Sequence, residues 1–149
     1  MDLKKKFFGE NLPPTNPFAE QAILNIFLTN SQNISLLKDN LPNLKEYYFY
    51  EESNRLIYQT ICELFEKNLL VNFASVLATI VNKGLFKKIG GVEKITSILN
   101  NFENSLNLPE YIHLLNDAYM RRLIINLANQ YKVWGGDLSL TIDQIFQRI

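Results

Sequence analysis

The chain holds one cysteine, one histidine and one tryptophan in 149 residues. Cys62 has no partner for an internal disulfide, which suits a reducing compartment. A zinc site takes four donors, so Cys62 and His113 would need several carboxylates beside them, and their spacing recommends nothing of the kind. Net charge is also lacking. Fifteen basic and fifteen acidic residues cancel, so no overall field draws the molecule to DNA or to a membrane. No run approaches the ~18 apolar residues that span a bilayer. "MDLKKKFFGENLPP" has no long apolar core after its charges and is not read as a secretory signal. Its lysines, Lys4 to Lys6, read as a solvated terminus rather than a nucleic-acid arm. G-x-S-x-G, H-E-x-x-H and EF-hand patterns are missing. The glycine-rich stretch "NKGLFKKIGGVEKIT" lacks the Lys-Ser/Thr pair and the upstream strand of a P-loop. No cofactor or metal site, and no catalytic residue, is expected.

What is present is an ordinary apolar fraction, 47%, arranged with a helical period nearly throughout. Asn16 is placed to cap a helix that Pro17 opens, at a position where its missing N–H costs nothing. Ala19, Ala22, Ile23, Ile26 and Phe27 follow on one broad face. A shorter helix is expected over 32–40, ending before Leu41-Pro42. Tyr47 to Tyr50 have strand propensity but no partner strand, so they read as a turn whose aromatics pack inward. From Ser53, Ile57, Ile61, Leu64 and Phe65 form a stripe, with Cys62 as a small core residue. Glu51-Glu52 suit the helix's N-terminal dipole rather than acid–base work. Asn72 is placed to cap the next helix and Gly84 to end it in a left-handed turn. Gly90 and Gly91 then bend the chain into another helix carrying Ile95, Ile98 and Leu99.

Asn107 and Glu110 have the spacing of a capping box. No breaker follows until Gly135-Gly136, which allows a helix of about 26 residues, roughly 39 Å at 1.5 Å per residue. That exceeds a compact domain of this size, so part of it should project or be covered. Tyr111, Leu115, Ala118 and Ile125 lie along one line; Ile112, Tyr119, Leu123 and Leu127 widen the arc. So wide an apolar girth needs two sets of neighbours. Thr141 and Gln144 begin a second arm with Ile142, Ile145, Phe146 and Ile149 at helical spacing. By these residues alone the chain is an all-α domain ending in an unsatisfied helical hairpin. The hairpin carries apolar surface for a partner, as in an oligomerisation or docking module.

The order of these segments resembles the N-terminal domain of DnaB-type replicative DNA helicases. "LPPTNPFAEQAILNIFL" is similar to the family's opening. Phe49-Tyr50 followed by Arg55-x-Ile57-Tyr58, then "KGLFKKIGGVEKITSIL", and finally Asn107, Tyr111 and Arg122 match later segments in the same order. Leu70-Val71-Asn72 and Glu103-Asn104-Ser105 depart from the family's pattern. The resemblance implies a flexible segment over 1–11, a globular subdomain over 12–105 and a hairpin over 106–149, truncated before a linker and an ATPase domain. It implies a compact orthogonal helical bundle followed by a projecting C-terminal helical hairpin, acting as a non-catalytic collar in which hairpins dimerise, three dimers cap a hexameric ring, and primase docks. On that reading the dimer or partner contacts are Tyr111, Leu114, Leu115, Ala118, Tyr119, Ile125, Ile142, Ile145 and Phe146, with Arg122 paired to a carboxylate across the seam. A helicase loader is a further partner that it allows. ATP, magnesium and DNA then belong to the parent helicase, in a bacterial cytoplasm or an organelle interior such as plastid stroma. Two other readings stay open: the helicase-binding C-terminal domain of a primase, and a stand-alone helical interaction module.

Overall fold

The computed structural model describes residues 12–100 and 107–149. The segment 1–11 and the Glu103-Asn104-Ser105 loop lie outside the described residues. Among the described residues there are seven α-helices and no strand. They are α1 (Pro17–Thr29), α2 (Ile34–Asn40), α3 (Glu52–Glu66), α4 (Phe73–Asn82), α5 (Gly91–Leu99), α6 (Leu108–Gly136) and α7 (Ile142–Arg148). Two 3₁₀ turns, Leu41–Asn43 and Glu46–Tyr48, link α2 to α3. The all-α class is as the period implies.

Two compact units emerge: a head, Thr15–Tyr119, and a second unit described over 12–14 and 120–149. The head thus takes in the first turns of the helix expected to open the hairpin at 106. The physical reason is that Leu108 and Leu115, on the first turns of α6, complete the head's core. A stretch that buries its apolar face in one core belongs to that core, whatever helix continues from it.

Within the head, α1 is buried around most of its girth, from Ala19 through Leu28, and packs against α3, α4 and α5. Such all-round burial marks a central helix. Ile23, Phe27, Ile57, Ile61, Ile80 and Ile98 form the middle of the core. Asn25, buried in α1, donates from Nδ2 to the Ile98 carbonyl at 2.9 Å, so its polar group is satisfied inside an apolar setting.

The helix ends follow local chemistry. Asn16 accepts from the Ala19 N–H at 2.9 Å, with Pro17 as the first helical residue. Asn72 and Ser75 form a full capping box at α4. Gly84, at φ +71°, ends α4, and the Leu85 N–H reaches back to the Ile80 carbonyl. Gly90 (φ +107°) and Gly91 (φ +63°) turn the chain into α5, so the glycine pair is the expected bend. Lysines near that bend are not merely a solvated rim: Lys83 pairs with Glu63 and Lys88 with Glu52, across to α3.

Candidate protein interface

α6 runs twenty-nine residues, from Leu108 to Gly136, roughly 43 Å at 1.5 Å per residue. Residues three and four apart on such a helix share a face. The spacing Tyr111, Leu115, Ala118, Arg122 marks the first such line. Leu115 is fully buried in the head's core and Ala118 is 6% exposed. Tyr111 is half-buried, edge-on to Phe18 with centroids 5.9 Å apart. Arg122, 7% exposed, donates from Nη1 to the Pro14 carbonyl at 2.8 Å within the second unit.

These positions bear on three expected contacts. Leu115 and Ala118 are covered by their own chain, and Arg122 is buried with one donor on the Pro14 carbonyl. Apolar spacing reports that a face is covered and not by what, which is why the sequence pattern pointed to a partner.

A second line replaces them. Met120, Ile124, Leu127 and Tyr131 recur at intervals of four, three and four, and they are 45%, 62%, 40% and 41% exposed. At about 100° per residue, Ile124 sits roughly 200° round the helix from Arg122, so within the second unit this stripe lies on the side away from Arg122. Intervals alternating three and four are those by which one helix seats against another of its kind. Sequence reasoning placed Leu127 in the wider arc and missed Met120, Ile124 and Tyr131. Their regular spacing was the available signal, masked by the stronger line that starts at Tyr111.

α7 repeats the pattern in short form. Thr141 and Gln144 make the capping box expected of them. Ile142, Phe146 and Ile149, four and three apart, are exposed, while Ile145 is half-buried. The Arg148 guanidinium lies over Trp134, 5.9 Å from the ring centroid, and Tyr131 flanks that ring at 5.8 Å. Between the helices, the Asp137 carboxylate accepts from the Ser139 N–H and hydroxyl, which holds its pKa below the ordinary value. Of the remaining expected contacts, Leu114 is exposed and Tyr119 and Ile125 are half-buried. α6 begins directly after Asn107, with Glu110 in its first turn.

The head contributes a polar bracket that no spacing announced. Glu20, buried in α1, accepts from the Tyr50 N–H (3.2 Å), the Glu51 N–H (3.2 Å) and Asn54 Nδ2 (3.1 Å). Glu51 caps α3 without using its own side chain; the Glu20 carboxylate instead takes the N–H of Glu51 itself and of the residue before it. Burial raises the Glu20 pKa against these three donors. On the other side of the same turn, Arg55 donates to the carbonyls of Phe49 and Tyr50. The turn presents Tyr47 and Tyr48, and each ring sits 5.0 Å from the ring of Tyr119. Phe49 does pack inward, stacked on Tyr58 at 4.8 Å; Tyr47 is half-exposed, unlike the inward packing expected of it.

Among the described residues no group of His, Cys, Asp and Glu could hold a metal ion, and no helix is long and apolar enough to cross a membrane. His113 is exposed, and Cys62 is half-buried with a thiol pKa raised by burial.

Residues 12–117 match the family model described as DnaB-like helicase N terminal domain. Over 136 residues the chain is 29% identical to a probable replicative DNA helicase of Trieres chinensis, covering 91% of this chain and 29% of that protein. It is 28% identical over 135 residues to the replicative DNA helicase DnaB of Synechocystis, covering 91% and 15% respectively. The replicative DNA helicase DnaC of Bacillus subtilis is 28% identical over 121 residues, or 80% and 26%. The chain thus spans less than a third of the length of these relatives. In structure it is similar to the crystallised N-terminal domain of DnaB helicase from Mycobacterium tuberculosis, with a TM-score of 0.80 at 20% identity. That likeness covers 91% of this chain and 94% of the other, and it shows the shared all-α fold.

Proposed function

The chain belongs to the DnaB-like helicase N-terminal domain family, and on that premise we propose that it is a non-catalytic collar domain of a hexameric replicative DNA helicase. It pairs with copies of itself, three pairs complete the collar, and the collar receives primase. A helicase loader is a further partner on this reading. ATP and magnesium serve an ATPase domain elsewhere in the parent, which carries the DNA contact as well. The setting is a bacterial cytoplasm or an organelle interior such as plastid stroma.

The observation that carries the pairing is the stripe Met120, Ile124, Leu127 and Tyr131, with Ile142 and Phe146 exposed on α7. Single exposed apolar side chains are normal, but an aligned series marks a surface that something covers. A two-fold axis brings the same stripe of a second copy opposite the first, so one set of residues serves both sides. A stable interface of this kind buries ~1,600 Å² in total. Leu114, Tyr119, Ile125 and Ile145 border the proposed seam; Leu115, Ala118 and Arg122 have no part in it.

Sedimentation tests this directly. The wild type should form dimers in the micromolar range, and Ile124→Asp and Phe146→Asp should each be monomeric with the head's unfolding transition unmoved. A wild type that stays monomeric at hundreds of micromolar overturns the pairing. Capture of purified primase by the dimer tests the docking separately; a well-formed dimer that ignores primase leaves the pairing standing and removes the docking.

A further inference from the structure

We propose that Glu20 is a positioning residue for the long helix: it pins the turn that grips Tyr119 and thereby sets how readily the α6 stripe meets a second copy. The turn is held on both of its polar sides. Its N–H groups at Tyr50 and Glu51 go to the Glu20 carboxylate from α1, and its carbonyls at Phe49 and Tyr50 go to Arg55 from α3. Upstream, the Tyr48 and Phe49 N–H groups return to the carbonyls of Lys45 and Glu46. Phe49, fully buried, fixes the turn's apolar side. The turn therefore cannot slide without breaking a charge-assisted hydrogen bond, which is among the stronger kinds.

Tyr47 and Tyr48 ride on this turn and close on Tyr119 from the head side of α6. Aromatic groups at such separations attract beyond simple burial. Tyr119 is the last head residue along the helix, and Met120, the first residue of the exposed stripe, follows it. A helix gripped at that point meets a partner already ordered, whereas a loose one has to be ordered on binding and loses affinity.

The part of this inference that concerns pairing rests on the collar reading; the grip on Tyr119 does not. Glu20→Gln separates the two. The amide keeps one acceptor oxygen but turns an NH₂ toward a donor, so either the Tyr50 or the Glu51 N–H loses its partner. Burying an amide costs less than burying a carboxylate, so the core as a whole should move little. Tyr47→Ala removes one half of the grip at an exposed position without touching the bracket.

Native-state hydrogen exchange on the whole chain reads the grip, and sedimentation reads the pairing. Glu20→Gln should speed exchange at Tyr50 or Glu51 about tenfold and speed the amides of 116–119 as well. The slowest amides of α1 and α3 should stay within about twofold, because only the turn has opened. Tyr47→Ala should loosen 116–119 alone. Both should weaken self-association by about tenfold. Uniformly faster exchange across the head in Glu20→Gln, or unchanged exchange at 116–119 in either variant, overturns the proposal. Should Glu20→Gln fail to fold, Glu20→Asp, whose shorter side chain cannot reach both N–H groups, is read in its place with the same expected exchange pattern. A wild type that never dimerises refutes the collar reading and leaves the exchange result to judge the grip.

Discussion

One helix, α6, shows two ways of spending apolar residues. Over Leu108–Tyr119 its apolar line is consumed by the head: Leu108 and Leu115 are as buried as any core residue of the protein. Over Met120–Gly136 an equally regular line faces outward; Arg122 is buried, and Leu123, Ile125, Asn129 and Trp134 are half-covered. Composition does not distinguish the halves, since both alternate Leu, Ile and Tyr with polar residues. What differs is whether other elements of the same chain arrive to cover the face. Every helix of the head has such a neighbour, whereas the second half of α6 has the seven residues of α7.

The largest expected effect tests whether the first half is truly core. Leu115→Ala should remove about 3 kcal/mol from the head's unfolding free energy, the usual loss when a fully buried leucine leaves a cavity. Ile124→Ala, nine residues along the same helix, should change that free energy by less than about 0.5 kcal/mol, as exposed positions do. Urea titrations followed by circular dichroism measure both. Equal losses would erase the distinction between the halves.

A finer comparison uses two capping boxes of the same design. Asn72 serves α4 in the head and Thr141 serves α7 in the second unit. Asn72→Ala should cost about 1 kcal/mol in the cooperative transition. Thr141→Ala removes the same kind of hydrogen bond but from a seven-residue helix with no buried residue. Its effect should appear as local loss of α7 helicity by NMR, with the head's midpoint unmoved.

Sequence legibility follows the same line. Asn16, Pro17, Asn72, Gly84, Gly90, Gly91 and Thr141 act through neighbours within a few residues, so they could be read before any fold was known. Leu115 and Ala118 could be read as covered but not as covered by the head, because that depends on α6 meeting segments far away in sequence. Glu20 was least legible. It looks like a first-turn carboxylate of α1, and its three donors lie about thirty residues downstream, two on the turn before α3 and one on that helix's first turn. The family resemblance picked out the segments containing Glu20, Phe49, Tyr50 and Arg55 without revealing that they meet. A polar residue inside an otherwise apolar run is the one local hint that such a bracket exists.

The smallest effect expected is in the pH dependence, where the two units should slope in opposite directions. In the head, burial raises the Glu20 pKa above 4.5, with the Glu51 charge adding to it and the donors Tyr50, Glu51 and Asn54 opposing it. Lys94 of α5, itself partly desolvated, feels the charges of Glu51 and Glu20, and Arg55 stands across the turn. A carboxyl whose folded pKa is raised binds its proton more tightly when folded. Its contribution is therefore complete below 4.5 and is lost as pH rises through the higher folded value. In the second unit, the Ser139 hydrogen bonds lower the Asp137 pKa below 3.8, aided by the charge of Arg148. That contribution is complete above 3.8 and is lost as pH falls through the folded value. Glu63, lowered by Lys83 and Lys67, gives the head an acid-side loss too, but only below 4.5, outside the window that Glu20 governs. Between pH 4.5 and neutrality, then, the head's stability should fall gently with rising pH and Glu20→Gln should flatten that slope. NMR titration of the Glu20 and Asp137 carboxyl carbons in the wild type provides the check. A Glu20 midpoint at or below 4.5 would mean that its three donors outweigh its burial, and the slope would vanish from the head.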